Sequence, residues 1–221
     1  MQVKVIMLTG SFTQQLCEMT QNAIDLLHQH KGKHELEVVL VESNPCTFKY
    51  RDCTVVHNIR EKFNYNQSVL LGLKVAGHAY AYIIANNDIE PQEGYLDELI
   101  ESSYESCSSL DPTLRLHDNA PEVWEGYRTS YQVCGWFLFF KRSVIEKIQP
   151  INLFPMELGF WYQDNWYADQ IQKHNIKHAL IRDSKVIHLE SKTHDFLPSG
   201  MTHEQYKNYL LLKNEPTTPR P

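Results

Sequence analysis

The sequence predicts an α/β domain built on a central, mostly parallel sheet flanked by helices. Three observations carry that reading. Apolar β-branched runs alternate with helix-spaced apolar sets through the first 90 residues, the pattern of parallel strands joined by helical crossovers. The 221 residues suit one fully cored domain better than two. No apolar run approaches the roughly 20 residues a membrane-spanning helix needs, and the mean hydropathy is −0.44.

In chain order, "VKVIML" (3–8) reads as a buried strand. "SFTQQLCEMTQNAIDLLHQH" follows with Leu16, Met19, Ala23, Leu26 and Leu27 at helical spacing and Ser11 as the expected N-cap. "LEVVLVE" (36–42) is a second strand and "CTVVH" (53–57) a short third. "NQSVLLGLKVAGH" (66–78) is a helix ending near Gly77, and "AYAYIIA" (79–85) a fourth strand that runs into Asn86-Asn87-Asp88. "EGYLDELIESSYESC" (93–107) reads as helix and "LDPTLRLHDNAPEVWEGYRTS" as loop with a possible short strand. "YQVCGWFLFFKR" (131–142) is a central strand leading into a helix at 143–148. An irregular aromatic loop, "PINLFPMELGFWYQ", precedes the helix "DNWYADQIQKHN" (164–175), which opens on Asp164 and closes on Asn175 as a left-handed cap. "KHALIRDSKVIHLE" supplies one or two strands and "HEQYKNYLLLKN" a last helix. The ending "EPTTPRP" (within 214–221) reads as a proline-rich tail or linker, so the chain is compatible with being one domain of something longer.

Charge and cysteines narrow the function classes. A net charge of −6 without a Lys/Arg block gives no sign of a nucleic-acid-binding face. Cys17, Cys46, Cys53, Cys107 and Cys134 form no CxxC and are odd in number, which argues for free thiols rather than a disulfide framework or zinc ribbon. The opening "MQVKVIMLTGS" has strand character and lacks the basic flank and cleavage site of a signal peptide, giving a cytoplasmic expectation.

An open parallel sheet binds ligands beyond the carboxyl ends of its strands. Polar residues stand at three such ends: Thr9-Gly10-Ser11, Glu42-Ser43-Asn44 and Asn86-Asn87-Asp88. Neither GxGxxG nor GxxxxGK[ST] follows any strand, which disfavours the usual dinucleotide and P-loop sites. A diphosphate held here would then need another counter-charge, such as a divalent cation on Asp88.

The ordered series of Glu42, "FNYNQSVLLGLKVA", "YIIANNDIEP", "CGWFLFFKRSVIEKI", "FWYQDNWYADQIQKHNIK" and "KVIHLE" resembles the family 2 glycosyltransferases of the GT-A fold over about residues 1–190. The resemblance implies a single GT-A domain over 1–213, with a nucleotide-binding half (1–90) and an acceptor half (91–213). It implies Asp88 and His188 as ligands of Mn²⁺ or Mg²⁺, Asp164 as catalytic base, and Thr9, Glu42, Asn86, Asn87 and Asp88 around the nucleotide-sugar donor. Two departures stand out. Leu70 occupies the place where the family carries Asn before Gly72, and the base motif reads Gln163-Asp164-Asn165-Trp166 where the family has a further acidic pair.

The residue types suit that chemistry. A cation bridging diphosphate oxygens neutralises the leaving group, and a carboxylate, an imidazole and phosphate oxygens suit Mn²⁺ or Mg²⁺. A second carboxylate is needed to take the acceptor proton. Trp136 and Trp161 carry faces that match the apolar side of a sugar ring, Trp161 being the choice for the acceptor. The expected activity is metal-dependent, inverting transfer from a nucleoside-diphosphate sugar, UDP favoured, to a glycan or glycolipid hydroxyl. The alternatives are a nucleotidyltransferase on a related fold and a non-catalytic sugar-nucleotide or glycan-binding domain.

Overall fold

In the computed structural model, residues 1–45, 47–59, 63–159, 162–189 and 201–214 are described. Cys46, Trp161 and nearly all of the proline-rich tail therefore lie outside the described residues. The strands are β1 (Gln2–Thr9), β2 (Glu35–Glu42), β3 (Thr54–His57), β4 (Ala81–Asn86), β5 (Ile89–Pro91), β6 (Ser106–Leu110), β7 (Val123–Glu125), β8 (Phe137–Lys141) and β9 (His178–His188). The helices are α1 (Gln14–Gln29), α2 (Tyr65–Ala76), α3 (Tyr95–Glu101), α4 (Arg142–Lys147), α5 (Pro150–Leu153), α6 (Gln163–Lys173) and α7 (Met201–Asn214).

One sheet runs β3-β2-β1-β4-β8-β6-β9-β5, with β7 also paired to β9. Its first half is parallel, as the alternating pattern predicts. The second half is mixed: β8 lies antiparallel to both β4 and β6, while β6 and β9 are parallel. The cause lies in the connections. The chain between β4 and β8 is long enough to return from either end, so the helical-crossover argument for parallel pairing does not apply there.

Side-chain alternation splits the sheet between two apolar layers. Val3, Val5, Met7, Ile83, Phe137 and Phe139 face α1 and α3 through Ala23, Ile24, Leu27, Leu96 and Leu99. Ile6, Leu8, Val41, Ile84, Leu138 and Phe140 face α2 and α6 through Val69, Leu73, Tyr167 and Ile171. The result is a three-layer helix–sheet–helix sandwich. Gly72 sits where α2 crosses β1 most closely: a Cβ there would stand 2.3 Å from Cγ2 of Ile6.

Several local expectations change. The N-cap of α1 is Thr13, whose hydroxyl accepts from the Leu16 amide, whereas Ser11 bonds Thr9 and Tyr50. The helix expected over 93–107 ends at Glu101, and Ser106–Leu110 is the fully buried strand β6. Three serines disguise that strand. Their hydroxyls bond long-range partners, Tyr167, His178, Cys134 and Ser184. "KHALIRDSKVIH" forms one long strand, and Gly77 (φ 66°) and Asn175 (φ 53°) occupy left-handed positions at the ends of their helices.

Candidate functional site

The site begins with register. Thr9 pairs with Glu42 and Leu8 with Asn86, so the carboxyl ends of β2, β1 and β4 finish level with one another. Immediately after β4 the chain turns into β5, where Ile89 lies opposite His188. β5 is an edge strand, which is why Pro91 is tolerated in it. This antiparallel pairing brings together two residues a hundred positions apart. Nε2 of His188 stands 3.3 Å from Oδ1 of Asp88, with side-chain exposures of 14% and 2%. The Leu189 amide donates to the Asp88 carbonyl at 2.9 Å, and the His188 amide to Oδ2 of the buried Asp111 at 3.2 Å. Nδ2 of Asn86 stands 3.5 Å from the same imidazole nitrogen.

The separation of Asp88 and His188 meets a simple geometric test. Two neighbouring ligands of an octahedral ion, each about 2.1 Å away, lie about 3.0 Å apart, and at calcium-like distances about 3.3 Å or more. The pair therefore fits as two adjacent ligands of one cation with little movement. Among the described residues no group of three or more His, Cys, Asp or Glu is arranged to hold a metal ion. Two protein groups would leave the other positions of such an ion to phosphate and water oxygens.

The other strand-end residues are hydrogen-bonded within the fold. Glu42 is fully buried; its Oε1 accepts the Ser11 amide at 3.1 Å and the Asn44 amide at 2.8 Å, and Tyr50 approaches Oε2 at 3.5 Å. Asn87 is buried and donates to Thr9 Oγ1 and Thr20 Oγ1, each at 2.9 Å. Thr9, Glu42 and Asn87 thus brace the two loops that rim the crevice. Phe12 stands half-exposed on the same rim.

Asp164 lies beside Gly135. It is in the first turn of α6, whose N-cap is Tyr162 in a left-handed conformation (φ 67°) without a side-chain cap bond, so Asp164 is not the N-cap. Its Oδ1 accepts the Asn165 amide at 2.9 Å. Burial pushes its carboxyl above the ordinary carboxylate range, against the lowering effect of the amides of Asn165 and of its own residue. Gly135 packs beside it: a Cβ added there would stand 3.0 Å from that of Asp164. Tyr65 donates its hydroxyl to the Gly135 carbonyl at 3.3 Å, and burial, then the Asp164 charge, raise the pKa of that phenol.

The segment Cys134-Gly135-Trp136 joins the two carboxylate sites. Trp136 stacks on the His188 ring, with centroids 5.2 Å apart and planes 7° from parallel. One face of the Trp136 indole is thereby taken up by the imidazole. The segment itself is pinned from below by a buried network. Nε2 of His178 donates to the Gln132 carbonyl at 2.8 Å, and Ser106 bonds Nδ1 at 2.7 Å. Ser108 accepts the Cys134 amide at 3.0 Å. Burial lowers the pKa of His178 to about 4 and keeps it neutral. Sequence reading missed Gly135, Tyr65, Asp111 and His178, because their roles exist only through long-range contacts; the Cys-Gly-Trp step ahead of an apolar strand was the one visible signal.

No family model matches the sequence, and no curated protein matches it significantly. Solved structures do. A mannosyltransferase from Pyrobaculum calidifontis, in complex with GDP-Man and Mn²⁺, aligns at TM-score 0.66 and 17% identity over 98% of this chain and 65% of its own. GalNAc-T7 with UDP, GalNAc and Mn²⁺ aligns at 0.66 and 13% over 96% of this chain. The chain spans only 48% of the GalNAc-T7 structure, so both comparisons involve longer proteins. The inositol-1-phosphate CTP transferase from T. maritima aligns at 0.51 and 11% over 93% of this chain and 95% of its own. The fold is that of the GT-A nucleotide-sugar transferases.

Proposed function

We propose that this protein is a metal-dependent, inverting glycosyltransferase that moves a sugar from a nucleoside-diphosphate sugar, UDP-linked by preference, to a hydroxyl of a glycan or glycolipid. One observation carries the proposal. A carboxylate–imidazole pair spaced for one cation sits at the carboxyl edge of the parallel strands, and a second carboxylate with a raised pKa lies across the short segment 134–136. In this reading Asp88 and His188 hold Mn²⁺ or Mg²⁺, which when bound supplies charge neutralisation to the departing diphosphate. Asn86 flanks the pair. The rim loops braced by Thr9, Glu42 and Asn87 offer backbone groups to the nucleoside, and residues 1–90 form the donor half. Asp164, in the acceptor half (91–213), takes the acceptor proton. A raised carboxylate pKa suits that task, since a base works best when its pKa approaches the working pH. Direct attack with a single base inverts the anomeric centre. Trp161, as the acceptor-side aromatic, completes the reading.

The test is a thermal-shift panel of nucleoside-diphosphate sugars with and without Mn²⁺, followed by turnover of whichever donor stabilises. A ligand at a hundred times its dissociation constant raises stability by about 2.7 kcal/mol. Stabilisation that requires Mn²⁺ and disappears in Asp88→Ala supports the proposal; a flat panel removes it in favour of a non-catalytic domain. The nucleotidyltransferase reading draws on the likeness to the inositol-1-phosphate CTP transferase. It requires release of pyrophosphate from CTP or another nucleoside triphosphate, which a pyrophosphate assay reads directly.

A further inference from the structure

We propose that Trp136 is a positioning residue for the cation site, its indole setting the plane of the His188 imidazole so that Nε2 faces Asp88. The inference rests on the metal reading of Asp88 and His188 given above. The backbone of His188 is fixed twice over, by its pairing opposite Ile89 and by the amide bond to Asp111. What the backbone leaves undetermined is the rotation of the ring about its own side-chain bonds, where Nε2 has only Asn86 Nδ2 at 3.5 Å and Asp88 Oδ1 at 3.3 Å beside it among the described contacts. A ligand nitrogen is useful only if that rotation is stopped, and a neighbouring group usually does so by a hydrogen bond to the ring. Here a flat indole 5.2 Å away and 7° from parallel lies along one face of the imidazole, an offset stack favoured between rings. Trp136 is itself held: its carbonyl accepts the Asn86 amide at 2.9 Å, and the preceding residues hang on Ser108 and His178. The strand end that carries Asn86 thus also holds the residue that aims His188.

The experiment uses Mn²⁺ alone and Mn²⁺ with UDP, followed by electron paramagnetic resonance. Free-ion titration gives affinity, and pulsed measurement detects the ¹⁴N nucleus of a bound imidazole. In the wild type the imidazole coupling is expected, and His188→Ala abolishes it. Trp136→Leu, which stays apolar but removes the flat face, is expected to weaken Mn²⁺ binding about 10- to 100-fold, as loss of a ligand-orienting neighbour does, and to lose or scatter the ¹⁴N signal. Trp136→Phe, which restores a ring face, should stay within about threefold of wild type. A Trp136→Leu protein with wild-type affinity and coupling overturns the inference while leaving the metal reading intact. A wild type that shows no imidazole coupling overturns the metal reading and this inference with it. Should Trp136→Leu not fold, wild-type emission decides: Mn²⁺ should quench a tryptophan component that Mg²⁺ does not and that Trp136→Phe lacks, and equal quenching in both proteins counts against the inference.

Discussion

Glu42 offers the most direct test of how the crevice is built, because its effect needs no substrate. The carboxylate is fully buried, and its Oε1 takes two backbone amides, those of Ser11 and Asn44, from the two loops that end β1 and β2. Glu42→Ala leaves both donors facing a cavity. Hydrogen bonds to a charged group contribute about 1.5–3 kcal/mol each, so the loss is about 3–6 kcal/mol. Domains have about 5–15 kcal/mol in total, so the variant should fold but melt far lower, by roughly 10–20 °C for a chain of this size. Glu42→Gln keeps an oxygen for the two amides and turns an NH₂ group toward Tyr50; it should cost about 1–2 kcal/mol. Urea unfolding followed by circular dichroism measures both. A loss below about 1 kcal/mol in Glu42→Ala would show that the loops are held by other means, and would free Glu42 for direct contact with a donor.

Asp164→Asn should lower turnover about 10²- to 10⁴-fold while sparing donor binding; equal loss of both would make the carboxylate structural. The same substitution should raise the melting temperature near neutral pH. A carboxyl whose pKa is raised in the folded state contributes stability at acid pH that is lost as pH rises through the folded value, so the variant's advantage should vanish in acid. His178 has the opposite sign. With its pKa lowered from 6.5 to about 4, the neutral buried ring stabilises the fold above pH 6.5 and that contribution, about 3 kcal/mol, drains away between pH 6.5 and 4. His178→Gln should therefore be less stable than wild type at pH 7, by a margin that narrows on acidification; a constant margin in pH-dependent melting would contradict the assignment. Gly135→Ala places a methyl 3.0 Å from the Asp164 Cβ, a few tenths of an ångström inside ordinary contact, so Asp164 must shift by about that much and turnover should fall, by less than the roughly 10²-fold that a full 1 Å misplacement can cost. A wild-type rate in Gly135→Ala would mean that Asp164 is not held from that side.

Much of this architecture is legible in one sequence because its causes are local. β-Branched runs set β1, β2 and β4, helical spacing sets α1, α2 and α6, and left-handed Gly77 and Asn175 mark where two helices stop. The reading failed where local and long-range preferences conflict. Ser106–Leu110 looks polar, yet its serines are buried on partners up to 75 residues away. Ser11 looks like a helix cap, yet Tyr50 and the Glu42 carboxylate claim its hydroxyl and amide.

By itself, then, the chain determined the alternating layers, the polar strand ends and the identity of the acidic and imidazole groups that stand there, since each follows from short-range patterns of apolar and polar residues. Tertiary structure alone decided which of those groups meet. The antiparallel pairing of β5 with β9 brings His188 to Asp88, the turn before β8 lays Trp136 on that imidazole, and Gly135 lets Asp164 close in from the far side. It also decided that Thr9, Glu42 and Asn87 brace loops, because a buried polar group must take whatever partner the packed fold brings within reach.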